Sequence, residues 1–284
     1  MKKYGVLLFA SMFAFASCED ILESDGDLST ADIVKGLKTA LNVGTDSSTA
    51  MLSLKNGYYG DPTVKIPLPD EAEKIMAGME YIERFAPSAA SLIKGKMDDL
   101  VLAINRSAES AAADAKPIFT EAITDLTIVD GLEILNGSVP SSLKSDATFD
   151  STAATKYLKI KTYNSLVGAY APKINGALDQ KLVGNASATS LWNDVTSNYN
   201  GFVEQYGSKA RAAVEAAELI TGKKIDLQFN EVNTDIGEFT TEKALDGLFL
   251  KVGNQEKEIR KNPFQWASEI LQKVFGSVAG MLAD

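Results

Sequence analysis

Between Ile93 and Phe119 apolar residues recur at helical steps: Ile93, Met97, Leu100, Val101, Ile104, Ala108, Ala111, Ala115 and Phe119. That spacing stacks them on one face of a helix, so the stretch is predicted to bury its stripe in a core. Pro117 lacks a backbone donor and is expected to kink or split this helix. The C-terminal block follows the same rule. Leu245, Leu248, Phe249, Val252 and Ile259 share a face of a helix expected to start at Thr240 or Thr241. Asn262-Pro263 reads as a cap and first residue of a last helix carrying Trp266, Ile270, Leu271, Val274 and Phe275.

Helix signals fill most of the remaining chain. Ser29-x-x-Asp32 reads as a capping box for a helix with Ile33, Val34, Leu37 and Leu41 on one face, closed by Gly44. A short second helix is expected through Ala50, Met51, Leu52 and Leu54 to Asn56-Gly57. Others are predicted over 70–82, from Pro87, and between a Thr127-x-x-Asp130 cap and Gly137. A Ser-rich loop spans 138–150, and Asp150-Ser151-Thr152 opens a helix through Tyr157 to Val167. Pro172 separates a helix at 173–182, and a longer run covers 190–220. Only Val64, Ile66 and Leu68, and later Ile225, Leu227 and Phe229, alternate like strands. Pro67 and Pro69 forbid a central strand there. The fold class is therefore all-α, a multi-helix bundle with room for one short two-stranded β ribbon.

The N-terminus speaks to location. Lys2 and Lys3 precede an uncharged apolar run from Tyr4 to Ala16, and Phe15-Ala16-Ser17 leads into Cys18. This is the layout of a secretory signal peptide, too short for a spanning helix. With the chain's one cysteine at the cleavage point, it resembles the lipobox of bacterial lipoproteins, although Phe15 stands where Leu is usual. The resemblance implies removal of 1–17, a diacylglycerol on Cys18 and an acylated amine. The implied membrane partner is reached through that lipid alone. Residues 19–28 carry five acidic groups and read as a tether reaching about 33 Å when extended. Glu19 and Asp20 resemble an acidic surface-export signal, and read equally well as solvated linker. The expected place is the outer membrane of a Gram-negative-type bacterium, facing the periplasm or the cell surface. Residues 29–276 are expected to form a single helical domain, with 277–284 as a tail.

Losing Lys2 and Lys3, the leader's only charges, takes the formal net charge from −10 to −12. Such an acidic body argues against nucleic acid. Histidine is absent and Cys18 is committed to lipid, which excludes imidazole bases, thiol nucleophiles, Cys/His zinc sites and disulfides. Neither a phosphate loop nor a nucleophile elbow is present, and Asp25-Gly26-Asp27 lacks the length and closing Glu of a calcium loop. No cofactor is expected. Asp98, Asp99 and Asp114 fall on different faces of one helix, so no metal is expected either.

The candidate site residues are then few. Arg106 and Glu109 lie three apart, and Asp246, Glu256 and Arg260 are assigned to the polar flank of the long C-terminal helix. Packed together, the two helices would join these five into one partly buried network. Tyr58 and Tyr59 sit in a loop and read either as a ligand wall or as a lid on the core. Asp150-Ser151-Thr152 fits an envelope O-glycosylation triplet at Ser151, and fits a helix N-cap more simply.

Five stretches carry a family resemblance: VKIPLP (64–69), NRSAESAAADAKPIF (105–119), AATKYL (153–158), TTEKALDGLFLKVGNQEKEIRKNP (240–263) and ILQKVFG (270–276). In this order they resemble the bacterial family called domain of unknown function 4197, over roughly 29–276. The resemblance implies an all-helical exported protein, often a lipoprotein, and supplies no activity, substrate or cofactor. The segment 184–223 is longer and more helical than that family leads one to expect. Two readings of function follow. One is a non-catalytic envelope lipoprotein that binds a protein, glycan or small molecule. The other is a carboxylate-dependent hydrolase or lyase of envelope or extracellular material, which needs a raised carboxylate facing a cleft.

Overall fold

The computed structural model describes residues 28–139 and 149–279. Its α-helices are α1 (Thr30–Leu52), α2 (Asp70–Ala77), α3 (Met79–Phe85), α4 (Pro87–Ala111), α5 (Ala115–Asp125) and α6 (Gly131–Leu135). They continue with α7 (Ala153–Leu178), α8 (Ala188–Thr221), α9 (Ile236–Lys261) and α10 (Glu269–Gly276). Four of them close a ring: α1 packs on α9 and α5, and α7 packs on the other side of both. Inside it the rings of Phe119 and Phe249 meet at 5.1 Å. Helix α4 leans on α7 and carries α8 and α3 outward, while α6 and α10 cover α1. The outer group has its own aromatic core, in which Phe229 meets Phe202 edge-on at 5.6 Å.

Local chemistry sets the helix ends. The Ser29 hydroxyl accepts from the Asp32 amide at 3.1 Å, the N-cap expected of that pair. Ser187 and Ser190 form a reciprocal box at the start of α8, and Gly222 (φ 67°) ends it in the left-handed conformation. Helix α4 stops at Ala111, and a 3-10 turn over Ala112–Asp114 offsets α5, so the chain splits just before Pro117. Gly137 closes the segment after α6 with φ 78°.

Several expectations are corrected. Gly44 does not end α1; a Cβ there would lie 3.3 Å from Val252, so the glycine serves close approach to α9 instead. The second short helix is the end of α1 itself, followed by turns. The 70–82 helix breaks at Gly78, whose place a Cβ would contest with the Phe229 ring at 2.8 Å. Asp130 rather than Thr127 precedes α6. Pro172 lies inside the unbroken α7, because it and Gly168, whose carbonyl it leaves without a donor, are both exposed to water. Helix α9 starts at Ile236, capped by the Asp235 carboxylate, and Pro263 opens only a 3-10 turn before α10. Of the 138–150 loop, residues 140–148 lie outside the described residues.

The β ribbon does not form, and among the described residues there is no strand. Asparagines instead hold the extended chain at Ile66 and, just beyond the 225–229 stretch, at Val232. Asn105 on α4 accepts from the Ile66 amide at 2.9 Å and donates to its carbonyl at 2.8 Å. Asn200 on α8 brackets Val232 in the same way, at 2.9 and 3.0 Å. A primary amide offers the donor and acceptor that a neighbouring strand would supply.

Candidate functional site

The sequence-predicted charges do not assemble into one network. They form three separate arrangements, and two of them are built into the backbone. Glu109, near the end of α4, is 4 % exposed. One carboxylate oxygen accepts the amides of Tyr58 (3.2 Å) and Tyr59 (3.0 Å), while the other meets Arg106. Arg106 also donates to Asn56 at 2.7 Å, and Asn56 holds a positive φ of 71°. The pair thus fixes the turn that follows α1.

Glu256 and Arg260 are each 1 % exposed, so they lie on the core side of α9 rather than on its polar flank. The carboxylate accepts the amides of Ala154 (3.0 Å) and Thr155 (2.7 Å), the Thr155 hydroxyl and two Arg260 bonds. Arg260 then reaches the carbonyls of Leu135 at 2.6 Å and Ile134 at 2.9 Å. The orphan amides of one helix start and the orphan carbonyls of another helix end are satisfied by one ion pair. Taking both charges out of water is costly, and the bonds made by each carboxylate oxygen and each guanidinium nitrogen offset that cost.

Asp246 stands apart on the surface, 2.7 Å from Lys159 and 3.3 Å from the Tyr163 hydroxyl. Burial, then the charges of Asp246 and Glu242, push the Tyr163 phenol up to about 12. Tyr58 is fully buried and donates to the Ala244 carbonyl at 2.8 Å, so it belongs to the core. Tyr59 is half-buried, with the Lys65 ammonium 4.3 Å and the Arg106 guanidinium 5.6 Å from its ring centre. Ser151 is half-buried in the turn before α7, where Asp150 accepts the Thr152 amide and hydroxyl. Cys18 lies outside the described residues.

Among the described residues three carboxylates have displaced pKa values, and all three are displaced downward. Lys273 and Ser29 lower Asp32 through their hydrogen bonds. Lys251, then Thr63, hold Asp61 down at about 2. For Asp150 burial opposes the shift, and bonds from Lys156 and Thr152 together overcome it. Among the described residues no three acidic side chains gather to hold a metal ion.

The concave surface that sequence reasoning missed lies between α5 and α7. A groove of about 630 Å³ has Ile118, Ala122, Leu126 and Leu166 among its apolar lining. Glu121 and Asp125 line it from α5, Lys161 from α7. Tyr157 in its wall is fixed by a 2.8 Å bond from its hydroxyl to the Thr127 carbonyl. A signal existed in the sequence. Phe119 and Ile123 are the core face of α5, yet Ile118 and Ala122 add apolar surface beside it. A helix wider in apolar surface than its core contact leaves part of it for something else.

The profile of the family described as "Protein of unknown function (DUF4197)" matches residues 27–276. No curated protein matches the chain, and no solved structure does. With α1 to α10 all inside that match, the chain belongs to the DUF4197 family of proteins of unknown function.

Proposed function

We propose that this protein is a non-catalytic binding module of the bacterial envelope, a lipoprotein of the outer membrane tethered through acylated Cys18. The observation that carries the reading is how the charges within the family-like stretches are used. Glu109 and Glu256 spend their oxygens on backbone amides and arginines, as structural charges do. A hydrolase or lyase needs a cleft-facing acid held above its ordinary pKa, whereas Asp32, Asp61 and Asp150 are all held below theirs. The groove between α5 and α7 has the size and apolar lining of a small-molecule site.

Two measurements test this. Native protein taken from envelopes should carry a co-purifying small molecule that disappears in an Ala122→Trp variant, which fills the groove. Recovery of the same material from that variant would count against the groove. For the anchor, Cys18→Ser should abolish incorporation of an alkynyl palmitate and release the protein from the membrane fraction. Protease shaving of intact cells then separates the surface from the periplasm.

A further inference from the structure

We propose that the α5–α7 groove takes a small amphiphile with a cationic amine head on an apolar body. This rests on reading the groove as a ligand site and adds the ligand's chemistry. The apolar part follows from the lining, since Ile118, Ala122, Leu126 and Leu166 face a space of about 630 Å³. The α7 residues that line it, 157 to 169, span roughly 18 Å of helix, so the site is elongated.

The charge of the head follows from an imbalance on the α5 rim. Glu121 and Asp125 are four residues apart and therefore neighbours on one helix face, an arrangement that destabilises a helix unless a cation joins it. Among the described residues neither has an ion-pair partner. Asp125 is also the last residue of α5, where the helix dipole presents its negative end; α5 itself has no basic residue in that turn, and Lys38 of α1 reaches only the Thr124 carbonyl there. Asp130 adds to the field: after burial, its charge is the next cause that raises the Tyr157 phenol.

Nearby lysines are otherwise engaged. Lys116 pairs with Asp46 at 3.0 Å, and Lys38 donates to the Thr124 carbonyl at 2.7 Å. Lys161 lines the opposite wall, with its ammonium 5.7 Å from the Tyr157 ring centre. An ammonium seated between Glu121 and Asp125 supplies the missing countercharge while its chain lies along the apolar lining. An anionic amphiphile would meet two carboxylates on the α5 rim against the single Lys161 ammonium on the α7 wall.

The test uses the full chain with Cys18→Ser, so that no acyl chain of its own competes. Decyltrimethylammonium and decyl sulfate, both kept below micelle formation, are titrated by calorimetry and by thermal shift. The expected result is saturable 1:1 binding of the ammonium and little or none of the sulfate. Glu121→Gln/Asp125→Asn should weaken ammonium binding by about tenfold, the loss of two exposed ion pairs. Ala122→Trp should abolish it, its fold checked by circular dichroism. Equal binding of both head groups, lost in Ala122→Trp, would overturn the cationic class and leave the groove standing. Failure of both to bind, or binding that Ala122→Trp leaves untouched, would overturn the groove itself.

Discussion

The side-chain amide of Asn105 bonds both ways to the backbone of Ile66, and all of these atoms are buried. It does the work of a partner strand for one residue. Asn105→Ala would leave an amide and a carbonyl without partners, a loss of about 2–4 kcal/mol. Asn105→Asp should be no milder, because it keeps the acceptor and turns a carboxylate toward the Ile66 carbonyl. The matching Asn200→Ala should cost less, since its bonds to Val232 are only partly buried. Urea unfolding midpoints check the order; an Asn105→Ala protein as stable as the parent would refute it.

The Glu256–Arg260 pair should respond unequally to the removal of its members. Glu256→Leu strands a buried guanidinium and should cost about 3–5 kcal/mol. Arg260→Met leaves the carboxylate on the Ala154 and Thr155 amides at the start of α7, where the helix dipole favours it, and should cost less. The double variant should melt above Glu256→Leu alone. Thermal melts of the three proteins decide the matter, and additive losses would speak against a coupled pair.

These two features also mark where the sequence could and could not be read. The helical period of α4, its break before Pro117 and the Ser29 cap were legible, because each depends on residues within a few positions. Glu256 and Arg260 read as part of the polar flank and of a partly buried network, since charges four apart on a helix pair with each other at its surface. Only the arrival of two distant helix ends, at Ile134–Leu135 and Ala154–Thr155, draws them inward. The ribbon was expected because alternation reports an extended backbone and not what pairs with it. Asn105 lay within a recognised stretch, yet its role depends on Ile66, 39 positions away. The groove was missed because Ile118 and Ala122 blend into the apolar step of the core face.

Acid should weaken one identifiable contact. Lys251 and Thr63 hold Asp61 at about 2 against an ordinary 3.8. A carboxyl lowered on folding contributes fully above its unfolded value, and that contribution fades as pH falls from 3.8 toward 2. Asp61→Asn should therefore lower stability at neutral pH and flatten its fall within that window. High salt should shrink the difference, as the pair is partly exposed. A parent and variant with parallel acid profiles would contradict this assignment.

Gly36 on α1 meets α10 closely: a Cβ there would lie 2.7 Å from the Cβ of Val274. Helix propensity alone favours alanine by about 1 kcal/mol. The clash should outweigh it, because a branched side chain struck at its own Cβ has no rotamer that moves away. Gly36→Ala should lower the melting temperature of the parent and raise it in a Val274→Gly background, where the struck Cβ is gone. The same sign in both backgrounds would show that the contact does not matter.

The Glu256 joint also sets an order of events. Its bonds reach residues 101 to 126 positions earlier in the chain. A chain that lacks residues 256–260 has no carboxylate and no guanidinium to close the start of α7 and the end of α6. Long-range closure of this kind comes late in folding and slows it. A chain truncated before Glu256 should thus keep an open body that holdase chaperones and proteases can engage. Completion of the last helices is what withdraws it from them.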